Sequence, residues 1–281
     1  MLIDALLLRA IVEAALAEDI GPGDITTALT VPEHAMSRAV ISAREAGVIA
    51  GMDAAEMVFA AVDPIVRFER KVRDGERVAS GERLAVVEGR SRSLLAGERV
   101  ALNFLQRLSG IATATARFVD LVAGTRAKIT DTRKTTPGLR MLEKYAVRVG
   151  GGQNHRFGLH DGILIKDNHI AAAGGIRTAV EAAKKGAPHT LKVEVEVRTL
   201  DDLQEAMDAG ADVVMLDNMD VEAMRRAVLM AGGRVVLEAS GGVSEDTVAA
   251  VAATGVDIIS IGALTHSVKA LDIGMDFESS V

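Results

Sequence analysis

Apolar positions along the chain follow two rhythms. Up to about residue 110 the pattern is mixed. Residues 2–16 repeat apolar side chains at helical spacing and predict an opening amphipathic helix, which runs into the turn-rich Glu18-Asp19-Ile20-Gly21-Pro22-Gly23-Asp24. Short β-like runs follow at 37–43, 47–50, 66–72 and 83–88, with Asp74-Gly75 and Ser80-Gly81 as turns. Leu94, Leu95, Val100, Leu102, Leu105 and Leu108 then predict a second long helix over 91–108.

From about residue 127 the rhythm becomes regular. Strand-length apolar runs occupy 127–130, 162–165, 191–197, 212–216, 234–237 and 256–261, and helix-like stretches at 176–185, 200–209, 221–230 and 244–253 separate most of them. Thr199 ahead of Asp201-Asp202, and Ser244 ahead of Glu245-Asp246, put capping oxygens and acids at helix starts. Gly186, Gly210, Gly232-Gly233 and Gly255 close the helices. This alternation implies an α/β fold of right-handed βαβ units around a parallel sheet. Six such runs in so short a stretch favour a barrel; an open doubly wound sheet is the alternative.

Composition narrows the class. The 281 residues are 49% hydrophobic and 25% charged, with no Trp, one Tyr and six Phe, so the core is built from Ala, Val, Leu, Ile and Met. Without cysteine there is no disulfide, thiolate metal site or Cys nucleophile, which suits a cytoplasmic protein. The acidic start (Asp4, Glu13, Glu18, Asp19) is unlike a signal peptide, and no run approaches the roughly 20 apolar residues that span a bilayer. A net charge of −7 argues against a nucleic-acid partner.

Reactive groups in parallel α/β folds sit just past the carboxyl ends of the strands. Those positions here read Asp131-Thr132-Arg133-Lys134, Lys166-Asp167-Asn168-His169, Asp217-Asn218, Glu238-Ala239-Ser240-Gly241-Gly242 and Ser260-Ile261-Gly262. Between 131 and 169 seven Lys/Arg stand against four Asp/Glu, a local excess of cations in an acidic chain. Arg140, Lys144 and Arg148, four apart, read as a solvated helix face. Arg133-Lys134, His155-Arg156 and Lys166 flank strands or glycines and read as an anion pocket. The run Gly150-Gly151-Gly152 lets backbone N–H groups approach a bound group or lets the chain take positive φ.

Glu194 and Glu196 are two apart in a strand and so point to one face, where an acid is costly unless used or paired. Asp217 could contact a metal directly or through water, bind a hydroxyl, or stabilise a developing cation. Ser240-Gly241-Gly242-Val243 and Gly262-Ala263-Leu264-Thr265 suit phosphate sites ahead of helices, or simply tight turns. No P-loop and no dinucleotide fingerprint is present.

Several of these motifs occur in the order found in quinolinate phosphoribosyltransferases, and the chain closely resembles that family. The likeness rests on 131–138, 150–159 and 164–169, and runs from 18–24 through Glu98-Arg99-Val100-Ala101-Leu102-Asn103 to Leu271-Asp272. It implies an N-terminal α/β sandwich domain, residues 1–110 completed by the tail 266–281, and an incomplete parallel α/β barrel, residues 111–265. It implies a pentosyltransferase that joins quinolinate to phosphoribosyl pyrophosphate with loss of CO2, giving nicotinate mononucleotide for NAD biosynthesis. It also implies Mg2+ at Glu196 and Asp217, directly or through water, and a homodimer that donates Arg99 across its interface.

Carried over by position, Arg133, His155, Arg156 and Lys166, with Arg99 of the neighbour, face quinolinate. Lys134, Glu196, Asp217, Ser240, Gly241, Gly242, Ser260 and Gly262 face phosphoribosyl pyrophosphate, and Thr132 and Ile261 belong to the same contact set. Lys134, Glu196 and Asp217 are the candidates for chemistry. The number of cations favours a diacid over the monoacid of a nicotinate phosphoribosyltransferase. A barrel that only senses a phosphorylated metabolite would not need Glu196 and Asp217.

Overall fold

The computed structural model describes residues 4–278, so residues 2 and 3 of the expected first helix and 279–281 of the expected tail lie outside the described residues. The chain divides into two compact units. Residues 1–116, 135–151 and 265–281 form one, and residues 117–134 and 152–264 the other.

In chain order the first unit opens with α1 (Ala5–Ile20), α2 (Ile25–Thr30), β1 (Met36–Ala43), β2 (Gly47–Val48), α3 (Met52–Val62), β3 (Arg67–Arg70), β4 (Arg77–Val78), β5 (Arg83–Arg90) and α4 (Ser91–Leu121). The chain passes through β6 (Lys128–Thr130) and α5 (Arg140–Val149), then β7 (Ile163–Ile165), α6 (Asp167–Ala173), α7 (Ile176–Gly186), β8 (Val193–Val197), α8 (Leu200–Asp208) and β9 (Val213–Asp217). It ends with α9 (Val221–Ala231), β10 (Val236–Ser240), α10 (Glu245–Ala252), β11 (Ile258–Ser260), α11 (Ala263–His266) and β12 (Ile273–Phe277).

The first unit is built on an antiparallel sheet in the order β12-β1-β5-β3. Ile41 and Ala43 on β1 are buried, as are Leu84 to Val87 on β5 and Val58 and Phe59 of α3. The C-terminal β12 pairs with β1, Ile41 opposite Met275, and so completes the sheet. α4 runs 31 residues, well past the end that its leucine pattern predicts. Gly110 does not stop it: a Cβ there would lie 2.3 Å from the carbonyl of Lys269. That glycine exists for the close approach of the tail, whose Leu271 N–H donates to Gln106 O at 2.9 Å.

α5 corrects the reading of Arg140, Lys144 and Arg148 as one solvated face. Arg148 is exposed and Arg140 half-buried, but Lys144 is 0% exposed. α5 is packed around most of its circumference, with Leu142, Glu143, Ala146 and Val147 buried as well. Its C-terminal end lies against α4, where a Cβ on Gly150 would meet Ala112 O at 2.4 Å. Gly151 follows at φ 89°. The first two glycines of the run therefore serve packing and a turn.

The second unit is a six-stranded parallel sheet in the order β6-β11-β10-β9-β8-β7, with residue Gln153 bridging Thr130 at the β6 edge. Among the described residues no pairing joins β6 to β7, so the ring of strands is incomplete. Thr199 and Ser244 cap α8 and α10 as their spacing predicts, Thr199 Oγ1 accepting from Asp202 N at 3.1 Å, and Asp220 caps α9, its Oδ1 accepting from Ala223 N at 2.8 Å.

Two boundaries differ from the apolar pattern. The fifth strand is Val236–Ser240, because Arg234 N–H folds back onto Ala231 O after the Gly232-Gly233 turn and delays the strand. Lys166 does not simply end its strand but caps the short α6, its N–H donating to His169 Nδ1 at 3.0 Å. The chain is thus an α/β protein with an antiparallel-sheet unit and an incomplete parallel α/β barrel.

Candidate active site

The parallel register places four strand-end residues in one row. Thr130 on β6 is level with Ser260 on β11, Ser260 with Ser240 on β10, and Ser240 with Asp217 on β9. Beyond Asp217 the row continues to Arg198, whose Nε donates to Asp217 Oδ2 at 3.2 Å and whose Nη2 reaches Asp167 Oδ2 at 3.3 Å. Glu196 lies on β8 level with Met215, two residues before Asp217, and accepts from Lys166 Nζ at 3.3 Å. Each expected carboxylate therefore has a cation beside it, and both are partly accessible.

The turn after β10 is shaped by one strained residue. Asn218 holds φ 52°, the one positive φ outside glycine among the described residues. Its N–H donates to Ser240 O and its Nδ2 to Asp217 Oδ1, both at 2.9 Å. Gly241, at φ 95°, passes so close that a Cβ would sit 2.3 Å from Asn218 Oδ1. Gly241 is required here on both counts. Gly242 and Val243 lead to Ser244 at the start of α10, so the backbone N–H groups of this turn follow Ser240, which is level with Asp217. Ile261 is buried, its N–H bound to Thr130 O at 2.9 Å, and Gly262 is half-buried.

The basic residues are positioned by a buried acid. Asp131, 0% exposed, accepts from Asn154 Nδ2 at 2.6 Å and from His155 N at 2.9 Å. It thereby ties the segment after β6 to the segment carrying His155 and Arg156. Thr132 Oγ1 accepts from Lys134 N at 3.1 Å, and Lys134 is exposed to solvent. Arg156 Nη1 donates to Gly162 O at 2.9 Å, while its buried Nε has no acceptor. Burial, then the neighbouring Arg133 guanidinium, pulls the Arg156 pKa below its ordinary value. Two guanidiniums that act on each other, one of them with an unused donor, make a receptor for an anion.

His155 is held differently from the other basic residues. Its Nδ1 accepts from Arg156 N at 2.8 Å, and its Nε2 faces Glu194 Oε2 at 3.0 Å and Glu238 Oε1 at 3.8 Å. Glu194 shares the inward face with Glu196, as the strand period requires, and meets an imidazole. Burial, then Glu194, pushes the Glu238 carboxyl up to about 8. The sequence pattern puts Glu238 past the strand end and outside the expected site set. Its only signal is an acid next to an otherwise apolar run.

Arg99, on α4 in the first unit, is exposed, between half-buried Glu98 and buried Val100. No helix among the described residues is long and apolar enough to cross a membrane.

Comparison with known proteins decides the family. The family model described as quinolinate phosphoribosyl transferase, C-terminal domain, matches residues 111–276, and that for the N-terminal domain matches residues 24–109. The chain belongs to the quinolinate phosphoribosyltransferase family. It is 48% identical over 259 residues to a probable carboxylating nicotinate-nucleotide pyrophosphorylase of Bacillus subtilis, covering 92% of this chain and 89% of that protein. To the carboxylating nicotinate-nucleotide pyrophosphorylase of Mycobacterium leprae it is 48% identical, covering 95% and 96%. The solved nicotinate-nucleotide pyrophosphorylase of Francisella tularensis superposes with a TM-score of 0.95 at 43% identity, covering 99% and 98%.

Proposed function

We propose that this enzyme transfers the phosphoribosyl group of phosphoribosyl pyrophosphate to quinolinate, releasing pyrophosphate and CO2 and forming nicotinate mononucleotide in NAD biosynthesis. The observation that carries the reading is the mutual placement of Arg133 and Arg156. Their repulsion is relieved by a ligand that brings two carboxylates, and the buried Arg156 Nε offers one of them a donor. Lys166 adds a third cation when it turns from Glu196 to the ligand. His155, whose two ring nitrogens face Arg156 N and Glu194, braces this quinolinate-facing segment.

Phosphoribosyl pyrophosphate is taken by the strand-edge row. Ser240, Ser260, Ile261 and Gly262 line the edge, and the turn through Gly241 and Gly242 offers N–H groups to a phosphate. Lys134, exposed beside Thr132, reaches the pyrophosphate as a point charge. The ring nitrogen of quinolinate attacks C1 of the ribose, and the electron pair of the breaking C1–O bond leaves with pyrophosphate. Glu196 and Asp217 stabilise the positive charge that builds on C1. The new pyridinium then accepts the electron pair of the adjacent carbon–carboxylate bond as CO2 departs, and a proton from solvent takes that carbon. No protein nucleophile is used.

Glu196 and Asp217 form an oxygen-only donor pair, partly accessible and near the phosphate turn, which fits Mg2+ held by one or two carboxylates, water and substrate phosphates. When bound, the ion neutralises charge on the departing pyrophosphate. The proposal includes a homodimer in which the exposed Arg99 serves the partner's pocket, and a cytoplasmic setting, in keeping with a chain that has no cysteine.

The test is turnover of purified protein with quinolinate, phosphoribosyl pyrophosphate and Mg2+, following nucleotide and CO2 together. One CO2 per nicotinate mononucleotide is expected. Turnover with nicotinate but none with quinolinate overturns the diacid reading.

A further inference from the structure

The barrel holds a second polar cluster that the proposed reaction does not use as a reactant. His155 Nε2, a Glu194 carboxylate oxygen and a Glu238 carboxylate oxygen lie within 4.8 Å of one another. Glu238 is 2% exposed and Glu194 8%. Each keeps a buried oxygen, Oε1 in both cases, with no hydrogen-bond partner. Orphan carboxylate oxygens buried side by side are costly, and the cost is removed by a positive charge between them.

The cluster is reached from a cavity that Arg156 also lines. This cavity, of about 420 Å³, is lined by Ile163, Val213 and Ile258, and by residues 190–192 just ahead of β8. Ile163, Val213 and Ile258 are the first residues of β7, β9 and β11. These residues lie towards the amino ends of their strands, and Thr130, the last residue of β6, and Arg156 line the same cavity. Exposed Lys192 and Asp161 stand at its rim. Glu194 is the second residue of β8 and Glu238 the third of β10, and both line this cavity.

We propose that His155, Glu194 and Glu238 form a binding site for a divalent transition-metal ion of the zinc type, entered through this cavity. One imidazole with two carboxylates is a donor set for Zn2+ or Mn2+ rather than for Mg2+ or Ca2+, which prefer oxygen alone. A three-residue set leaves room for water from the cavity as fourth ligand. The imidazole tautomer suits the role. Nδ1 accepts the Arg156 N–H, which leaves Nε2 to give its proton to solvent and its lone pair to the metal. The ion would clamp the segment carrying His155 and Arg156 onto β8 and β10, stiffening the loop that presents Arg156. The site uses neither Glu196 nor Asp217, and its occupancy is measurable whether or not the proposed reaction is found.

Zn2+ alone is titrated into chelator-stripped protein by calorimetry. A Glu196→Gln/Asp217→Asn variant removes the competing pair at the strand ends. That variant is expected to bind one Zn2+ per chain and to melt at higher temperature with it. Adding Glu238→Gln should weaken the binding at least 100-fold. Should the added change disturb folding, X-ray absorption at the zinc edge of the Glu196→Gln/Asp217→Asn protein decides the matter. One imidazole nitrogen with carboxylate oxygens at about 2.0–2.2 Å is expected. No bound Zn2+, an affinity that Glu238→Gln leaves unchanged, or a shell without imidazole overturns the site and leaves a carboxyl pair closed by a shared proton.

Discussion

Glutamates are buried in both units, and they are treated in opposite ways. In the first unit Glu143, 0% exposed, is enclosed by donors. It accepts from Arg107 Nη2 at 2.8 Å, Thr136 N at 3.0 Å and Thr136 Oγ1 at 2.7 Å. Arg107 in turn donates to Thr265 O, so one carboxylate ties α4, α5 and the start of the C-terminal segment together. In the second unit Glu194 and Glu238 are almost as deeply buried, yet each has an oxygen without a hydrogen-bond partner. A satisfied buried carboxyl group belongs to the scaffold. An unsatisfied one, beside an imidazole and a cavity, marks a place where something arrives.

The largest effect should come from breaking the satisfied cluster. Glu143→Ala leaves the Arg107 guanidinium and two Thr136 donors without their acceptor, and such losses run to about 3–5 kcal/mol. Arg107 is 30% exposed and recovers some water, which puts the expected loss at the lower end. Urea unfolding should show it as a lower midpoint with unchanged slope. Glu143→Gln should lose much less, since the amide oxygen still accepts from Thr136. A loss under about 1 kcal/mol for the alanine variant would mean that Glu143 is not the tie it looks to be.

Next comes the anion receptor. Arg156→Ala removes one of the two repelling guanidiniums and the bond to Gly162 O. The expected result is a fall of about 30-fold or more in kcat/KM for quinolinate, worth about 2 kcal/mol, with a smaller change in KM for phosphoribosyl pyrophosphate. Arg156→Lys should not restore the rate, because an ammonium cannot offer the fork that meets a carboxylate while holding Gly162 O. Equal loss toward both substrates would move Arg156 from the diacid to the general scaffold.

Much of this comparison was legible in the chain. The βαβ alternation predicted the parallel sheet, and the strand period put Glu194 and Glu196 on one face, where the structure places them. Asp217 and Ser240, both read as strand-end residues, stand level in the register of β9 and β10. What escaped detection depends on tertiary packing. Lys144 has the spacing of a surface residue and is buried because α5 is packed around most of its circumference. The helix predicted over 91–108 runs on through Gly110, which is a contact with the tail. Glu238 reads as a loop acid because nothing local reveals that the Gly232-Gly233 turn delays β10 by two residues. The positive φ of Asn218 likewise follows from its bonds to Ser240 and Asp217, which no local pattern encodes.

The smallest effect, and the one that tests the comparison most directly, is expected at Glu238. In chelator-stripped protein, Glu238→Gln should leave stability unchanged or raise it by about 1 kcal/mol, although Glu238 is as buried as residues whose loss is severe. Glutamine has nearly the same shape and no charge to desolvate. Its amide can also donate to the Glu194 oxygen that has no hydrogen-bond partner. The gain is limited because Glu238 already adapts: its carboxyl is pushed up to about 8 and stays largely uncharged at neutral pH. Thermal and urea unfolding against the parent measure the difference. A loss approaching that of Glu143→Ala would show that Glu238 is held by bonds as firm as those around Glu143. The contrast between the two units would then fail at its sharpest point.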